Sequence, residues 1–232
     1  MDILSQAKKF LTFVLPRLNN IQYMDRNLIS GTVPVERHQF EPFLPENARI
    51  LMLGSFPPQP KRWSMVFYYP NFNNDMWRIF GLIFFGDKEH FIETGRKSFD
   101  KRKIVEFCSE KGIAMYDTAC EVRRLKDNAS DKFLEVTKPT DIEALLARIP
   151  ECAAIITTGQ KATDVLVEHF GCQIPPMGGS VQFQADINGS VREMQLFRMP
   201  SSSRAYPLAI GKKAEAYRSM LQATGIIQEP EQ

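Results

Sequence analysis

Three segments, Arg49–Leu53, Gly112–Tyr116 and Ala153–Thr157, are almost unbroken apolar runs, and they constrain the fold more than anything else in the chain. Strands of that kind are buried on both faces, as happens in a parallel sheet covered by helices. A fourth strand is predicted at Met194–Met199. Helical patterns alternate with these runs. Met76, Ile79, Phe80, Ile83 and Phe84 fall at i, i+3, i+4, i+7 and i+8, one apolar stripe. Ser98–Lys111 reads as the next helix, closed by Gly112. Thr140-Asp141-Ile142-Glu143 reads as a capping box opening a helix that Pro150 stops. Gln160–Phe170 ends at Gly171, and Gly211–Thr224 at Gly225. Val181–Ala185 alternates in polarity, and Asn188-Gly189 is a hairpin signal joining it to the fourth strand. The expected class is α/β, a three-layer α/β/α sandwich around a mainly parallel four-stranded sheet with a β-hairpin extension. Residues 1–36 are expected to pack on the domain as an extension, 37–225 to form it, and 226–232 to fray.

A length of 232 residues suits one sizeable core. No run of eighteen apolar residues occurs, and Phe10–Pro16 is apolar but short and lacks a small-residue cleavage site. A cytoplasmic monomer with no membrane association is expected. The net charge of +2 neither requires nor excludes a polyanionic partner. The basic clusters Lys101-Arg102-Lys103, Arg123-Arg124 with Lys126, and Lys212-Lys213 fit either phosphate contacts or solvated faces. Cys108, Cys120, Cys152 and Cys172 form no Cys-x-x-Cys pair, and His38, His90 and His169 lack metal-ligand spacing, so no metal or cofactor is expected.

In open α/β sheets, ligands gather beyond the carboxyl ends of the strands. Gly54-Ser55-Phe56-Pro57-Pro58 follows the first strand there, and an aromatic loop from Phe67 to Trp77 comes after it. Asp117-Thr118 follows the second strand and Pro200–Pro207 the fourth. Gly54 lets backbone approach a ligand, and Ser55 adds a hydroxyl. Phe56, Tyr68 or Tyr69 could stack on a flat ring. An asparagine amide carries donors and an acceptor for a nucleobase edge or a water, although Asn73 or Asn74 could equally cap the following helix. Ser201, Ser202 and Ser203 suit phosphate contacts, with Arg204 beside them, although the same run would serve as an ordinary turn.

Order and spacing extend the argument. Arg49–Pro57 resembles the first motif of hypoxanthine-DNA glycosylases, a branch of the uracil-DNA glycosylase superfamily. That branch continues with Tyr-Tyr-x-His-Pro-Arg-Asn-x-Phe-Trp. Here Tyr68, Tyr69, Asn74 and Trp77 match without a gap, while Asn71-Phe72-Asn73 replaces His-Pro-Arg. Met115-Tyr116-Asp117-Thr118, Thr158-Gly159-Gln160-Lys161-Ala162 and Met199–Ala205 are similar to three further motifs, in order, over about Phe40 to Leu221. Arg204 stands where the family often has proline, and the water-activating aspartate of other branches is absent after the first motif.

The resemblance implies a uracil-DNA glycosylase-like fold and removal of a deaminated base, uracil or hypoxanthine, flipped out of DNA in base-excision repair. Asn74 and Ser55 would be catalytic. Gly54, Phe56, Pro57, Tyr68, Tyr69 and Asp117 would hold the substrate, and Ser201, Ser202, Ser203 and Arg204 would contact the strand. No lysine matches a Schiff-base position, so a glycosylase without lyase activity is implied. Two other readings stay open at this point: a non-cutting nucleic-acid-binding module of the same fold, and a nucleoside or nucleotide hydrolase.

Overall fold

The structure is a computed structural model, and it describes residues 33–126 and 131–228. The expected N-terminal extension lies, up to residue 32, outside the described residues, as do residues 229–232 of the tail. In chain order the elements are β1 (Val35–Arg37), β2 (Ile50–Gly54), α1 (Met76–Phe85), α2 (Lys101–Lys111), β3 (Ile113–Asp117), β4 (Ala119–Arg124), β5 (Leu134–Pro139), α3 (Ile142–Ala147), β6 (Ala154–Thr158), α4 (Gln160–Phe170), β7 (Ser180–Ile187), β8 (Ser190–Met199) and α5 (Ile210–Ala223).

The central sheet has five strands in the order β3-β2-β6-β8-β7. The first four run parallel, and β7 pairs antiparallel with β8. Every residue of β2, β3 and β6 is buried, so the sheet is covered on both faces. The expectation of a four-stranded sheet with a hairpin extension is thereby corrected to five strands, one of them antiparallel. Both arms of the hairpin belong to the central sheet. Phe183, Ala185 and Ile187 of β7 face the core while Gln182, Gln184 and Asp186 face solvent, the alternation that suits an edge strand.

A second sheet, β1-β4-β5, is antiparallel and three-stranded, and the sequence patterns do not reveal it. A single residue, Thr118, separates the end of β3 from the start of β4, so the chain passes through it from one sheet into the other. Register shifts between Ala119, Glu121 and Val122 break the period-two pattern that would have marked this strand.

Two helix starts lie later than the sequence suggests. Asp100, not Ser98, caps α2 by accepting from the Lys103 N–H at 3.1 Å, while the Ser98 hydroxyl donates to the Ser64 carbonyl. Asp141 caps α3 through the Ala144 N–H at 2.9 Å. Thr140, the expected cap, instead donates its hydroxyl to the Asp117 carbonyl at 2.7 Å. That helix ends at Ala147, short of Pro150. Past α5, the N–H groups of Ile226 and Ile227 return to the Leu221 carbonyl and Ile226 is buried, so packed chain continues beyond Gly225. Among the described residues no helix is long and apolar enough to cross a membrane.

Helix α1 packs on α5, with the guanidinium of Arg218 donating to the Ile83 carbonyl. The stripe read from the sequence faces the core: Met76, Ile79 and Phe80 are fully buried. Trp77, also fully buried, donates its indole N–H to the Tyr68 carbonyl at 3.1 Å and so ties the aromatic loop to α1. Trp77→Phe deletes this donor and leaves a small void. It is expected to lower stability by about 2 kcal/mol in urea unfolding, which combines an orphaned carbonyl with lost packing. An unchanged midpoint would show that the indole does not hold the loop.

Candidate active site

Parallel pairing of β2 with β3 sets Gly54 opposite Asp117 at the carboxyl ends of both strands. The Asp117 carboxylate lies across Gly54: a Cβ there would come within 2.3 Å of Oδ1. Only glycine leaves that space. The other oxygen, Oδ2, is 2.8 Å from Nε2 of His38. A carboxylate only accepts, so Nε2 carries the proton of this contact. Nδ1 is turned to the backbone of Phe40, 2.9 Å from its carbonyl oxygen and 3.1 Å from its amide nitrogen. The imidazole is 2% exposed, tilted on Tyr116 and edge-on to Phe56 and Phe40. It is delivered by the second sheet, where β1 pairs with β4 and the His38 N–H donates to the Cys120 carbonyl. Nothing local in the sequence marks His38, because its partner is 79 positions away.

The second sheet brings in two more groups, Arg124, which the sequence offered only as part of a basic cluster, and Asp131, which it did not mark. Arg124 holds Glu36 in a bidentate pair (3.0 and 3.0 Å) and donates to the Pro57 carbonyl at 3.0 Å, fixing the segment after β2. The neighbouring Arg123 pairs with Glu135, so this basic pair is engaged in ion pairs within the protein. Asp131, at the 3-10 turn leading into β5, hydrogen-bonds with Ser55 and lines the same cavity as Asp117. Burial raises the pKa of its carboxyl above the ordinary carboxylate value, and Asp117 pushes the same way. The Ser55 hydrogen bond, Arg124 and Lys161 oppose this without cancelling it.

Eleven of the twelve residues expected at the site line one cavity of about 600 Å³: Gly54, Ser55, Phe56, Pro57, Tyr68, Tyr69, Asn74, Asp117, Ser201, Ser202 and Ser203. The aromatics differ in how they are held. Tyr68 is 3% exposed, with its hydroxyl on the Glu41 carbonyl, and Phe56 packs with Ala119, Val122 and Leu134. Tyr69 has a left-handed backbone (φ 50°), unusual for a bulky residue, and its hydroxyl meets Oγ1 of Thr158 at 2.9 Å. Burial raises the phenols of Tyr68, Tyr69 and Tyr116, and Asp117 adds to this, so all three present neutral hydroxyls.

Asn74 stands just before α1, and its Oδ1 accepts from the Met76 N–H at 2.9 Å. This Asx-turn contact to the first N–H of α1 fixes the amide of a residue that lines the cavity. Backbone bonds stitch this segment to the serine loop: Asp75 N–H to the Ser202 carbonyl, and Arg204 N–H to the Asn73 carbonyl. Ser202 is buried. Ser201 and Ser203 use their oxygens to accept from the Ser203 and Ala205 N–H groups, which leaves each O–H proton able to turn toward an anion.

Arg204 does not line the cavity. Its guanidinium reaches Asp75 at 3.0 Å. Lys213, 1% exposed, also faces Asp75 at 3.8 Å and donates to the Ser203 carbonyl at 2.8 Å. Burial lowers the pKa of Lys213, a shift that Asp75 opposes and Arg204 reinforces. Phe72, in the segment that departs from the resembled motif, lies under the Arg78 guanidinium at 4.4 Å and accepts from it through its carbonyl. The segment thus has anchors of its own. Among the described residues no group of three or more His, Cys, Asp or Glu side chains could hold a metal ion.

Chemically the cavity offers an acceptor carboxylate, a second carboxyl group, an oriented amide and neutral hydroxyls, inside aromatic walls. Such a mixture suits a flat polar ring. The chain is similar to a solved structure, "Solution NMR Structure of a putative Uracil DNA glycosylase from Methanosarcina acetivorans", at 20% identity and a TM-score of 0.55, covering 83% of this chain and 99% of that one. At this identity the likeness establishes a shared fold. No protein-family model and no curated protein matches the chain.

Gly54→Ala places a methyl group on the Asp117 carboxylate. A crystal structure of the variant is expected to show that carboxylate displaced from His38. An unmoved carboxylate at hydrogen-bond distance would mean that the close approach does not fix the pair.

Proposed function

We propose that this protein is a DNA glycosylase that hydrolyses the N-glycosidic bond of a deaminated base, uracil or hypoxanthine, rotated out of DNA. The observation that carries the proposal is the convergence of Asn74, Asp117 and Tyr69 on one aromatic-walled cavity beyond the ends of parallel strands, next to a loop of serine hydroxyls. The fold shared with the glycosylase-named structure supports it.

In this account Ser201 and Ser203 donate to phosphates flanking the target nucleotide, and the extruded base enters the cavity against Phe56 and Tyr69. Extrusion costs a few kcal/mol, least for a mispaired base, which favours deaminated positions. The oriented Asn74 amide donates from Nδ2 to the base or to the attacking water. Its position at the N-terminus of α1 adds positive potential where negative charge develops on the departing ring. Water captures the sugar carbon and leaves an abasic site. No covalent enzyme intermediate is needed, which matches a monofunctional enzyme.

The test is base release from oligonucleotides carrying one uracil, hypoxanthine or xanthine, in single and double strands. Asn74→Ala is expected to slow release about 100-fold or more, the scale of losing one transition-state donor, at a stability cost of about 1 kcal/mol for the lost cap. Release at the wild-type rate would remove Asn74 from the mechanism. Salt-sensitive DNA binding without release would favour the non-cutting module, and cleavage of free nucleosides alone the small-molecule hydrolase.

A further inference from the structure

We infer that Asp131 is a catalytic residue of this cavity, the acid that hands a proton to the departing base. The inference rests on the glycosylase reading and adds a role that the sequence motifs do not contain. The cavity holds two carboxyl groups in different settings. Asp117 accepts from His38 Nε2–H through one oxygen and presents the other over Gly54. Asp131 lines the same cavity, and its hydrogen bond is to a neutral hydroxyl, Ser55.

The groups facing Asp131 come from several elements: Ser55 after β2, Tyr69 before α1, Asp117 on β3, Arg124 on β4 and Lys161 on α4. Of the two cations, Arg124 is already committed to Glu36. Burial and the Asp117 charge outweigh the rest, so the Asp131 proton is held to a higher pH than on an ordinary carboxyl. A carboxyl group that keeps its proton to higher pH, in the cavity that Asn74 and Asp117 also line, stands where it can serve a departing base as an acid.

The step balances. As the C1′–N bond breaks, its electron pair moves onto the base, and the Asp131 O–H proton moves to a nitrogen or conjugated carbonyl oxygen of that base. Asp131 is left as carboxylate. Water attacks C1′, and the proton it sheds returns through Asp117 or solvent to Asp131. The net reaction is hydrolysis.

Asp131→Asn keeps the shape and removes the proton. Single-turnover release from the oligonucleotide that wild type cuts best would be followed across pH for wild type, Asp131→Asn and Asp131→Glu, with DNA affinity and melting recorded for each. Wild-type release is expected to fall as pH rises through the Asp131 pKa. Asp131→Asn should be about 100-fold slower or more, with that fall abolished and DNA affinity and melting retained. Asp131→Glu should recover part of the rate and the fall with pH. An Asp131→Asn protein that releases base with the wild-type pH profile, at any rate, would overturn the inference while leaving the glycosylase reading intact. No release by wild type from any of the oligonucleotides would overturn the glycosylase reading and the inference with it.

Discussion

The approach of the Asp117 carboxylate over the bare Cα of Gly54 fixes the geometry on which the rest of the site depends. Parallel register alone puts the two residues side by side, but a side chain on β2 at this point would fill the space the carboxylate occupies. With that space open, one carboxylate oxygen reaches His38 and the other faces the cavity. His38 in turn binds the second sheet to the first, because it sits directly after β1 and is walled by Tyr116, Phe56 and Phe40. Thr140, at the far end of β5, closes the same point by donating to the Asp117 carbonyl. The small sheet therefore works as a positioning frame. It delivers His38, Arg124 and Asp131 to one side of the cavity, while the central sheet delivers Gly54, Asp117 and Thr158.

The opposite wall is organised around Asp75. One carboxylate answers Arg78, Arg204 and Lys213, and the loop of Ser201–Ser203 is held to the start of α1 by backbone bonds beside it. Such a cluster contributes little as net stabilisation, since desolvating the buried Lys213 offsets much of the Coulomb gain. Its effect is geometric: the buried ammonium grips the Ser203 carbonyl, so the serine hydroxyls and the Asn74 amide keep a fixed relation across the cavity mouth. Phe72 and Arg78 brace the same segment with a stacked contact and a hydrogen bond.

The parts of this architecture written in local pattern could be read before the structure. The continuous apolar runs of β2, β3 and β6 and the stripe on α1 are burial signals of one period each, and they placed the central sheet. The cavity residues at strand ends followed, because parallel strands carry their ligands there. What could not be read depends on distance or on broken periodicity. The bulge in β4 hid the second sheet, and with it Arg124 and the chain that carries Asp131. His38 looks like any isolated histidine until its partner, 79 residues on, is beside it. Thr140 satisfies the cap pattern on paper but spends its hydroxyl on a tertiary bond, so the cap moved to Asp141. Arg204 stands in the serine loop by sequence, yet the buried charge of Asp75 draws its guanidinium to the other side of that loop.

The central claim is that a single extruded base fills the cavity between the Asp117 and Asn74 walls. It is tested most directly by a crystal structure with duplex DNA carrying a 2′-fluoroarabino analogue of the deaminated nucleotide, which resists cleavage because fluorine destabilises the oxocarbenium-like sugar. The expected result is the base inside this cavity, within hydrogen-bond distance of Asn74 and Asp117, with flanking phosphates on Ser201 and Ser203. DNA bound with the target base still stacked in the duplex, or seated on another face of the protein, would contradict the account.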